Sequence, residues 1–197
     1  MPISRNVSDK LEKSSWIRKM FEEGLRMKQE YGVNNVFDLS LGNPVMEPPE
    51  QVRQAIKSAA NDSSPGLHRY MPNAGLSDVR DAIARSLSLE SSVKLTADHI
   101  VMVCGAAGGL NITLKTLLDP GEEVIVFSPF FVEYLFYSEN HGGKTITVPT
   151  NEDFSLNFMA LRKALSSKTK AVIINSPNNP TGVVYSRKML EELAPIL

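Results

Sequence analysis

Lys170-Ala171-Val172-Ile173-Ile174, followed directly by Asn175-Ser176-Pro177-Asn178-Asn179-Pro180-Thr181-Gly182, is the stretch that decides the fold of this chain. The apolar run predicts a buried strand, and the prolines and glycine after it stop any helix. Three asparagines then bring amide groups to the carboxyl end of the strand, which is where ligands bind in open α/β sheets. The stretch indicates either a binding loop or an ordinary connection built from common loop residues.

Short apolar strands alternate with helices through the second half of the chain. Further strands are predicted at Ile100–Val103, Glu123–Phe127 and Thr145–Val148, and each is followed by a predicted helix. A last helix begins near Ser186. Because right-handed crossovers connect such units, the pattern predicts an α/β fold with a mainly parallel sheet.

The N-terminal region has a different pattern. Asp9-Lys10-Leu11-Glu12 fits a helix-capping box, and the apolar positions after it predict a helical arm that ends at Gly32. A short strand is predicted at Val36–Leu41, and two helices are predicted from Pro48 to about Ala60 and from Leu76 to Leu87.

Composition and charge narrow the functional classes. Of the 197 residues, 42% are hydrophobic and 22% are charged, and the net charge is −1, so the chain is globular without a basic surplus for nucleic acid. The single Cys104 suits a reducing compartment. We find no signal-peptide core and no apolar run of membrane-spanning length. We therefore expect a soluble, cytoplasmic protein without nucleic-acid or membrane partners.

A second candidate loop follows the first of these strands. Cys104-Gly105-Ala106-Ala107-Gly108-Gly109 opens a helix, and its small residues would let an anion approach the free amides of the first turn. The glycine spacing matches neither a Walker loop nor the dinucleotide fingerprint. Tight packing of helix against strand is the alternative interpretation of the same residues.

Other common chemistries find no support in the residue pattern. His68, His99 and His141 lack the spacing of metal ligands, so no metal site is predicted. No nucleophile elbow occurs. Phe130, Phe131 and Tyr134 follow a predicted strand and are either core residues or, for one placed in a cleft, a stacking platform for a flat ring.

A series of motifs runs through the chain in a defined order. They are Leu41-Gly42-Asn43-Pro44, Arg69-Tyr70-Met71-Pro72-Asn73-Ala74-Gly75, Gly105-Ala106-Ala107, Asp119-Pro120-Gly121-Glu122-Glu123-Val124, Ser128-Pro129-Phe130-Phe131 and the asparagine-rich stretch that ends at Gly182. Together they resemble the class I aminotransferases, pyridoxal-5′-phosphate enzymes of fold type I, and especially the aspartate/aromatic aminotransferase group. The resemblance implies a three-layer α-β-α large domain preceded by a helical arm.

The resemblance also implies a cofactor site. Asn179 is similar to the asparagine that hydrogen-bonds the phenolic oxygen of pyridoxal 5′-phosphate, and Phe131 is similar to the aromatic residue that stacks on the ring. The turn Gly105-Ala106-Ala107 is similar to the phosphate cradle. Relatives often carry Ser, Thr or Lys in this turn, so the alanines leave backbone amides as the implied phosphate contacts.

Two residues of the N-terminal half have implied roles. Tyr70 is similar to the tyrosine that reaches the cofactor phosphate of a neighbouring subunit, which implies a homodimer. Gly42 is similar to the glycine of a mobile segment that approaches the substrate carboxylate, together with Asn179.

Other parts of the family's machinery have no counterpart after Gly182. Relatives use an imine-forming lysine, an aspartate against the ring nitrogen and a carboxylate-binding arginine, all downstream of the asparagine loop. We therefore expect this chain to be an N-terminal portion, inactive alone, whose partner is the missing C-terminal half. Residues 1–46 would form the arm and part of a small domain, and residues 47–197 the first half of the cofactor-binding domain.

The family's sheet implies gaps in this chain. We expect Ile100–Cys104 to pair with a strand from beyond the chain's end, and Ala171–Asn175 to lie between strands that are also missing. Only Glu123–Phe127 and Thr145–Val148 would then be direct neighbours. Because unpaired buried strands are costly and aggregate, we expect that the chain does not fold stably alone.

The function implied for the parent protein is pyridoxal-phosphate-dependent transfer of an amino group between an amino acid and a 2-oxo acid. Two alternatives stay open. One is a carbon–sulfur lyase or a synthase of the same fold. The other is a non-catalytic, aminotransferase-like sensing or dimerisation domain, against which the absence of a basic recognition helix near the N-terminus argues.

Overall fold

The computed structural model describes residues 3, 8, 15–39, 42, 44 and 46–197. The chain forms two compact units, residues 1–69 and residues 70–197. The predicted capping box at Asp9 to Glu12 lies outside the described residues. The functional division proposed at residue 46 stays a prediction. Among the described residues, no helix has both the length and the apolar character needed to span a membrane.

Helices and strands are numbered in the order in which the described chain forms them. The first unit contains helices α1 (Ser15–Tyr31) and α2 (Glu50–Asn61). The second unit contains, in order, α3 (Ser77–Glu90), α4 (Gly105–Leu117), β1 (Glu123–Ser128), α5 (Glu133–Glu139), β2 (Lys144–Pro149), α6 (Phe158–Ala164), β3 (Thr169–Ile173) and α7 (Arg187–Leu193). Short 3₁₀ helices occupy Val33–Asn35, Ala97–His99 and Ala194–Ile196.

In the first unit, α1 ends where the sequence predicts. Gly32 has a φ of 87°, and its N–H donates to the Lys28 carbonyl at 3.0 Å. Lys28 Nζ then bonds Asp38 Oδ2 at 2.7 Å, which ties the chain after the helix back to it. A Cβ on Gly24 would lie 3.0 Å from the same Asp38 oxygen, so this approach favours a glycine on the helix.

Two predicted strands are absent from the sheet. The described part of the predicted strand Val36–Leu41, residues 36–39, belongs to no ladder, and Phe37 and Leu39 are 90% and 94% exposed. Ile100–Val103 likewise forms no ladder, although its apolar residues were expected to be a strand. An apolar, extended sequence becomes a strand only when a second backbone offers a ladder of hydrogen bonds, and the one such bond described for Ile100–Val103 joins the Met102 N–H to the Ala74 carbonyl.

The three strands form one parallel sheet in the order β2-β1-β3. This confirms the predicted parallel sheet, but the expected position of Ala171–Asn175 between missing strands is wrong. Val124 pairs with Ala171, and Val126 pairs with Ile173. Because the middle of β1 is completely buried, both of its edges need hydrogen-bond partners, and β3 supplies the second. The low stability expected for the chain alone stays a prediction.

Alternating side chains of β1 build two cores, one on each face of the sheet. Val124 and Val126 pack with α4 and α5 in a cluster that includes Leu114, Leu118, Tyr134 and Tyr137. Ile125 and Phe127 face the opposite side, where they pack with a cluster that includes Leu156, Leu161, Tyr185 and Leu193. Since the side-chain period of a strand is two residues, this one strand contributes side chains to both cores. The predicted α/β fold with three α-β-α layers is confirmed.

Gly143 is buried in the turn between α5 and β2, and its lack of a side chain matters there. A Cβ at this position would lie 2.8 Å from Leu118 Cδ1, 2.9 Å from Ser138 Oγ and 3.2 Å from the Ser138 carbonyl oxygen. The Ser138 backbone belongs to α5 and has little freedom to move. We expect Gly143→Ala to lower the free energy of unfolding by about 1–3 kcal/mol, measured by urea denaturation.

Gly108→Ala is the matched control for Gly143→Ala. Its Cβ would meet only Cys104 Cβ at 3.7 Å, an ordinary van der Waals contact, and it lies within α4, where alanine is the better helix former. The stability of Gly108→Ala should be equal to that of the natural protein or slightly higher. Equal losses in the two variants would show that the contacts around Gly143 do not control this turn.

Glu122 joins the turn before β1 to β3. Its Oε2 accepts a hydrogen bond from the Asp119 N–H at 2.8 Å, and its Oε1 lies 3.1 Å from Lys170 Nζ. The Asp119 amide first, and then Lys170, hold the pKa of the Glu122 carboxyl below its usual value. A lowered folded-state pKa stabilises the fold above the unfolded pKa, and that stabilisation is lost as pH falls through the folded pKa.

We therefore expect Glu122→Gln to unfold more easily than the natural protein at pH 7. The difference should shrink below about pH 4.3, the ordinary pKa of glutamate, and vanish once the carboxyl is protonated in both states. Thermal unfolding at pH 7, 5 and 3 measures the difference in stability between Glu122→Gln and the natural protein. A gap of the same size at all three pH values would mean that the ionised carboxylate is not its cause.

Candidate active site

The strand order creates a crevice at the carboxyl edge of the sheet. From β1 the chain forms β2 on one side, and it later returns to form β3 on the other side. The segments after β1 and β3, residues 128–131 and 175–182, therefore leave neighbouring strands at a topological switch point. This is the position where open α/β sheets bind ligands. Two motifs singled out in the sequence lie in these segments.

Helix α4 places its first turn near the same edge. Its last turn leads through Asp119-Pro120-Gly121 into the amino end of β1, and its residues Leu114 and Leu118 belong to the core cluster of that strand. The helix therefore runs antiparallel to the strand, and each is roughly 20 Å long by its residue count. Residues 105–107 consequently begin the helix close to the carboxyl edge.

Gly105 gives this helix an open N-terminus. Its φ of 71° is unfavourable for other residues, and a Cβ built on it would meet nothing within 4 Å. The Gly105 N–H donates to the Val103 carbonyl at 3.1 Å. The amides of Ala106 and Ala107 are first-turn donors with no hydrogen-bond partner within the described chain. In this conformation these two amides are the ones available to an anion.

The three asparagines of the loop after β3 do different work. Asn175 Oδ1 accepts the Asn179 N–H at 2.8 Å, and Asn178 Oδ1 accepts both the N–H and the hydroxyl of Thr181 at 3.3 and 3.0 Å. Asn178 is 8% exposed. The side chain of Asn179 is exposed and makes no hydrogen bond among the described residues. Two asparagines thus shape the loop, and the third keeps its amide available.

Three further residues support the loop, and sequence analysis assigned them no role. The Tyr185 N–H donates to Ser176 Oγ at 3.0 Å, and Thr181 Oγ1 accepts the Val183 N–H at 3.3 Å. Tyr185 is 5% exposed, whereas the preceding Val184 is 67% exposed. Because Val183, Val184 and Tyr185 are all apolar, the sequence contains no alternation that would have singled out the tyrosine.

Phe131 follows β1, the strand that pairs with β3, and its aromatic ring is partly exposed. Its ring lies edge-on to Tyr134, with 5.7 Å between ring centroids and an interplanar angle of 84°. Tyr134 is buried in the core below, where burial raises its pKa, so it is a neutral anchor. Phe131 itself remains 37% exposed. One edge of its ring is thus fastened while part of the ring stays accessible for stacking.

The remaining predicted residues lie elsewhere. Tyr70 is fully exposed at the start of the second unit, four residues before Ala74, whose carbonyl accepts the Met102 N–H at 2.9 Å. Gly42 is exposed and belongs to the first unit. The group formed by residues 105–107, Phe131 and Asn179 is defined by the segments that follow the neighbouring strands β1 and β3 and by the helix that packs on β1.

The grouped residues fit a ligand that has an anionic group, a flat ring and an acidic oxygen. Ala106 and Ala107 offer amides at a helix N-terminus, where the dipole favours negative charge. Phe131 offers an accessible ring, and Asn179 offers an uncommitted amide. All these residues are uncharged, so binding of an anion would depend on oriented N–H groups. Pyridoxal 5′-phosphate has each of the three features.

Comparison with known proteins agrees with this geometry. The curated aspartate aminotransferase of Pyrococcus abyssi is 38% identical over 193 residues, which are 95% of this chain and 47% of the relative. A probable aspartate aminotransferase of Methanocaldococcus jannaschii is 31% identical over 184 residues, 93% of this chain and 46% of the relative. The chain spans about half the length of the curated relatives it matches.

Solved structures give the same result. An amino transferase from Eubacterium rectale superimposes with a TM-score of 0.91 at 35% identity, covering 100% of this chain and 50% of that chain. Aspartate aminotransferase from Thermus thermophilus with maleate gives 0.77 at 33% identity, covering 91% and 46%. The family model for aminotransferase class I and II matches residues 34–197. This chain therefore belongs to the class I and II aminotransferase family.

Proposed function

We propose that the whole protein uses pyridoxal 5′-phosphate to transfer an amino group between an amino acid and a 2-oxo acid, and that this chain, which spans about half the length of its relatives, is inactive alone. The observation that carries this proposal is the uncommitted amide of Asn179 at the switch point of the sheet, beside the segment that contains Phe131. The class I and II family membership supports it. The strand order and the packing of α4 on β1 support the proposal, because they put the segments with the amide and the aromatic ring on neighbouring strands and begin α4 on the same side of the sheet.

In this proposal the chain's own residues hold and orient the cofactor. The amides of Ala106 and Ala107 bind the phosphate, and Gly105 keeps the approach free of a side chain. Phe131 covers one face of the ring and excludes water from it. Asn179 donates an N–H from its side-chain amide to the phenolic oxygen.

The cofactor, when bound, supplies a ring that accepts the electron pair released at the substrate's α-carbon. Asn179 contributes by stabilising negative charge on the phenolic oxygen, which lowers the pKa of that group. The loop bonds of Asn175 and Asn178 keep the Asn179 backbone in place, so the amide needs no rearrangement to donate. The residues of this chain thus bind and tune, and they do not themselves move the substrate's proton.

Substrates and partners are part of the same proposal. Relatives are named aspartate, aspartate/prephenate and aromatic-amino-acid aminotransferases, so an acidic or aromatic amino acid is the expected donor. Gly42 would approach the substrate carboxylate, and the exposed Tyr70 would reach the cofactor phosphate of a second subunit in a homodimer. We further propose that the protein acts in the cytoplasm, and that residues 1–46 and 47–197 are its arm and cofactor-binding parts.

The test is transfer of labelled nitrogen. The whole protein, and not this chain alone, is supplied with pyridoxal 5′-phosphate, 2-oxoglutarate and either [¹⁵N]aspartate or [¹⁵N]tyrosine, and [¹⁵N]glutamate is measured by mass spectrometry. We expect label in glutamate only when cofactor and oxo acid are both present. Label released as ammonia would favour the lyase alternative.

A second measurement separates catalysis from sensing. Cofactor binding is followed by absorbance without any oxo acid. A protein that binds pyridoxal 5′-phosphate but transfers no nitrogen in either direction would favour the non-catalytic alternative. A protein that binds no cofactor would contradict the whole proposal.

A further inference from the structure

We propose that Tyr185 is a positioning residue, which with Asn178 fastens the asparagine loop to the core so that the Asn179 amide is held ready for its ligand. The inference rests on the proposed function for the identity of that ligand. Its structural part, the fastening of the loop, stands on contacts within this chain. Neither residue was predicted from the sequence to belong to the site.

Asn178 is the centre of the loop's internal hydrogen bonds. Its N–H donates to the Val183 carbonyl at 2.8 Å, and its carbonyl accepts the Gly182 N–H at 2.7 Å. Its side-chain oxygen accepts two bonds from Thr181. With its side chain almost fully buried, Asn178 has no free acceptor for a ligand, and every bond it makes closes the loop.

Tyr185 connects this loop to the sheet's core. Its ring packs in the cluster that contains Phe127 of β1 and Leu161 of α6. Its backbone N–H donates to Ser176 Oγ on the other arm of the loop. Burial raises the pKa of the Tyr185 hydroxyl, as expected for a side chain held in the core.

The loop is therefore held at two points on either side of Asn179. Before Asn179 in the chain, Asn175 Oδ1 accepts the Asn179 N–H and Ser176 Oγ accepts the Tyr185 N–H. After it, the Thr181 hydroxyl donates to the Asn178 side chain. When a side chain is exposed and makes no hydrogen bond, only the backbone that carries it can fix its position. The two attachments fix the position of that backbone and do not involve the side-chain amide of Asn179.

The first test measures amide hydrogen exchange in the ligand-free protein. Ser176→Ala removes the hydroxyl that accepts the Tyr185 N–H and keeps the packed tyrosine ring. We expect the Asn178 and Gly182 amides to exchange about 5-fold faster, since one hydrogen bond is lost, while the Val126 amide in β1 is unchanged. Ser91→Ala, which removes a serine hydroxyl that bonds the Leu87 and Val93 carbonyls, should leave the loop amides unchanged. Loop exchange within twofold of the natural protein in Ser176→Ala would overturn the proposal.

Two variants at Thr181 test whether hydrogen bonding to Asn178, and not packing alone, holds the loop. Thr181→Val removes the hydroxyl that bonds Asn178 and should accelerate the same amides, and Thr181→Ser keeps it and should restore slow exchange. If Thr181→Ser exchanges as fast as Thr181→Val, hydrogen bonding to Asn178 is not what holds the loop, and the proposal fails.

The second test asks whether Tyr185 acts through Asn179. The probe is 4-deoxypyridoxine 5′-phosphate, which cannot bond covalently to a lysine. We expect Ser176→Ala, which removes the bond from the Tyr185 N–H, to weaken its binding about 5-fold, and to have no further effect when Asn179→Ala is already present. Fully additive losses would overturn the positioning role. Failure of the natural protein to bind the probe would overturn the proposed function and leave hydrogen exchange to decide whether Tyr185 holds the loop.

Discussion

Leu161→Ala is expected to lower the free energy of unfolding by about 2–5 kcal/mol. Leu161 has no exposed surface, and it packs in the core cluster with Ile125 and Phe127 of β1. Truncation removes three heavy atoms from this cluster and leaves a cavity, because the surrounding strand and helix can close only part of the space. Since α6 covers that face of the sheet, the loss should appear as lower global stability in urea denaturation.

Met159→Ala is the control on the same helix. Met159 is 67% exposed, two residues before Leu161 in the chain, and alanine is an equally good helix former at an exposed position. We expect a change below about 0.5 kcal/mol. If Met159→Ala cost as much as Leu161→Ala, the effect would come from the helix itself and not from burial against β1.

Asn179→Ala is expected to weaken binding of 4-deoxypyridoxine 5′-phosphate roughly 10- to 100-fold. A hydrogen bond to a charged oxygen contributes about 1.5–3 kcal/mol to binding. Its loss should also raise the phenolic pKa of the bound probe by roughly one to two pH units. Titration of the bound probe by ultraviolet absorbance measures the pKa, and equilibrium dialysis measures affinity. The Asn179 backbone bond to Asn175 does not involve the side chain, so the loop should persist.

Asn140→Ala is the matched control for the amide. Asn140 is also exposed, but it follows α5 just before the amino end of β2, at the opposite edge of the sheet. Affinity and probe pKa should both stay unchanged in this variant. A loss of affinity in Asn179→Ala without a change in probe pKa would show that the amide does not contact the phenolic oxygen, whatever its effect on the loop.

How far the sequence could predict the fold is clearest in β1. Its apolar run predicts a strand at Glu123–Phe127, and the structure forms one at Glu123–Ser128. The same reasoning placed a strand at Ile100–Val103, where no ladder forms. Both runs are apolar, and the difference is that β1 has a neighbour on each edge. Local sequence reports the tendency to be extended, whereas hydrogen-bond partners come from elsewhere in the chain.

The candidate site shows the same division. Motifs singled out Asn179, Phe131 and residues 105–107 without any knowledge of where they lie. Strand order, which depends on the direction of crossovers, put the segments that contain Phe131 and Asn179 after neighbouring strands. It also corrected the expectation that β3 has no neighbour in this chain. The hydrogen bond from the Tyr185 N–H to Ser176 Oγ could not be predicted, because a hydroxyl can bond any of several nearby groups until packing selects one.

The sequence by itself determined the α/β class, the approximate helices and strands, and the identity of the asparagine loop as a family motif. Periodicity and turn residues act over a few positions, so they can be read locally. Only the tertiary structure decided that β1 lies between β2 and β3, and that Asn175 and Asn178 serve the loop while the Asn179 side chain bonds none of the described residues. These outcomes depend on which distant groups reach each other's hydrogen bonds, and that is settled when the chain packs.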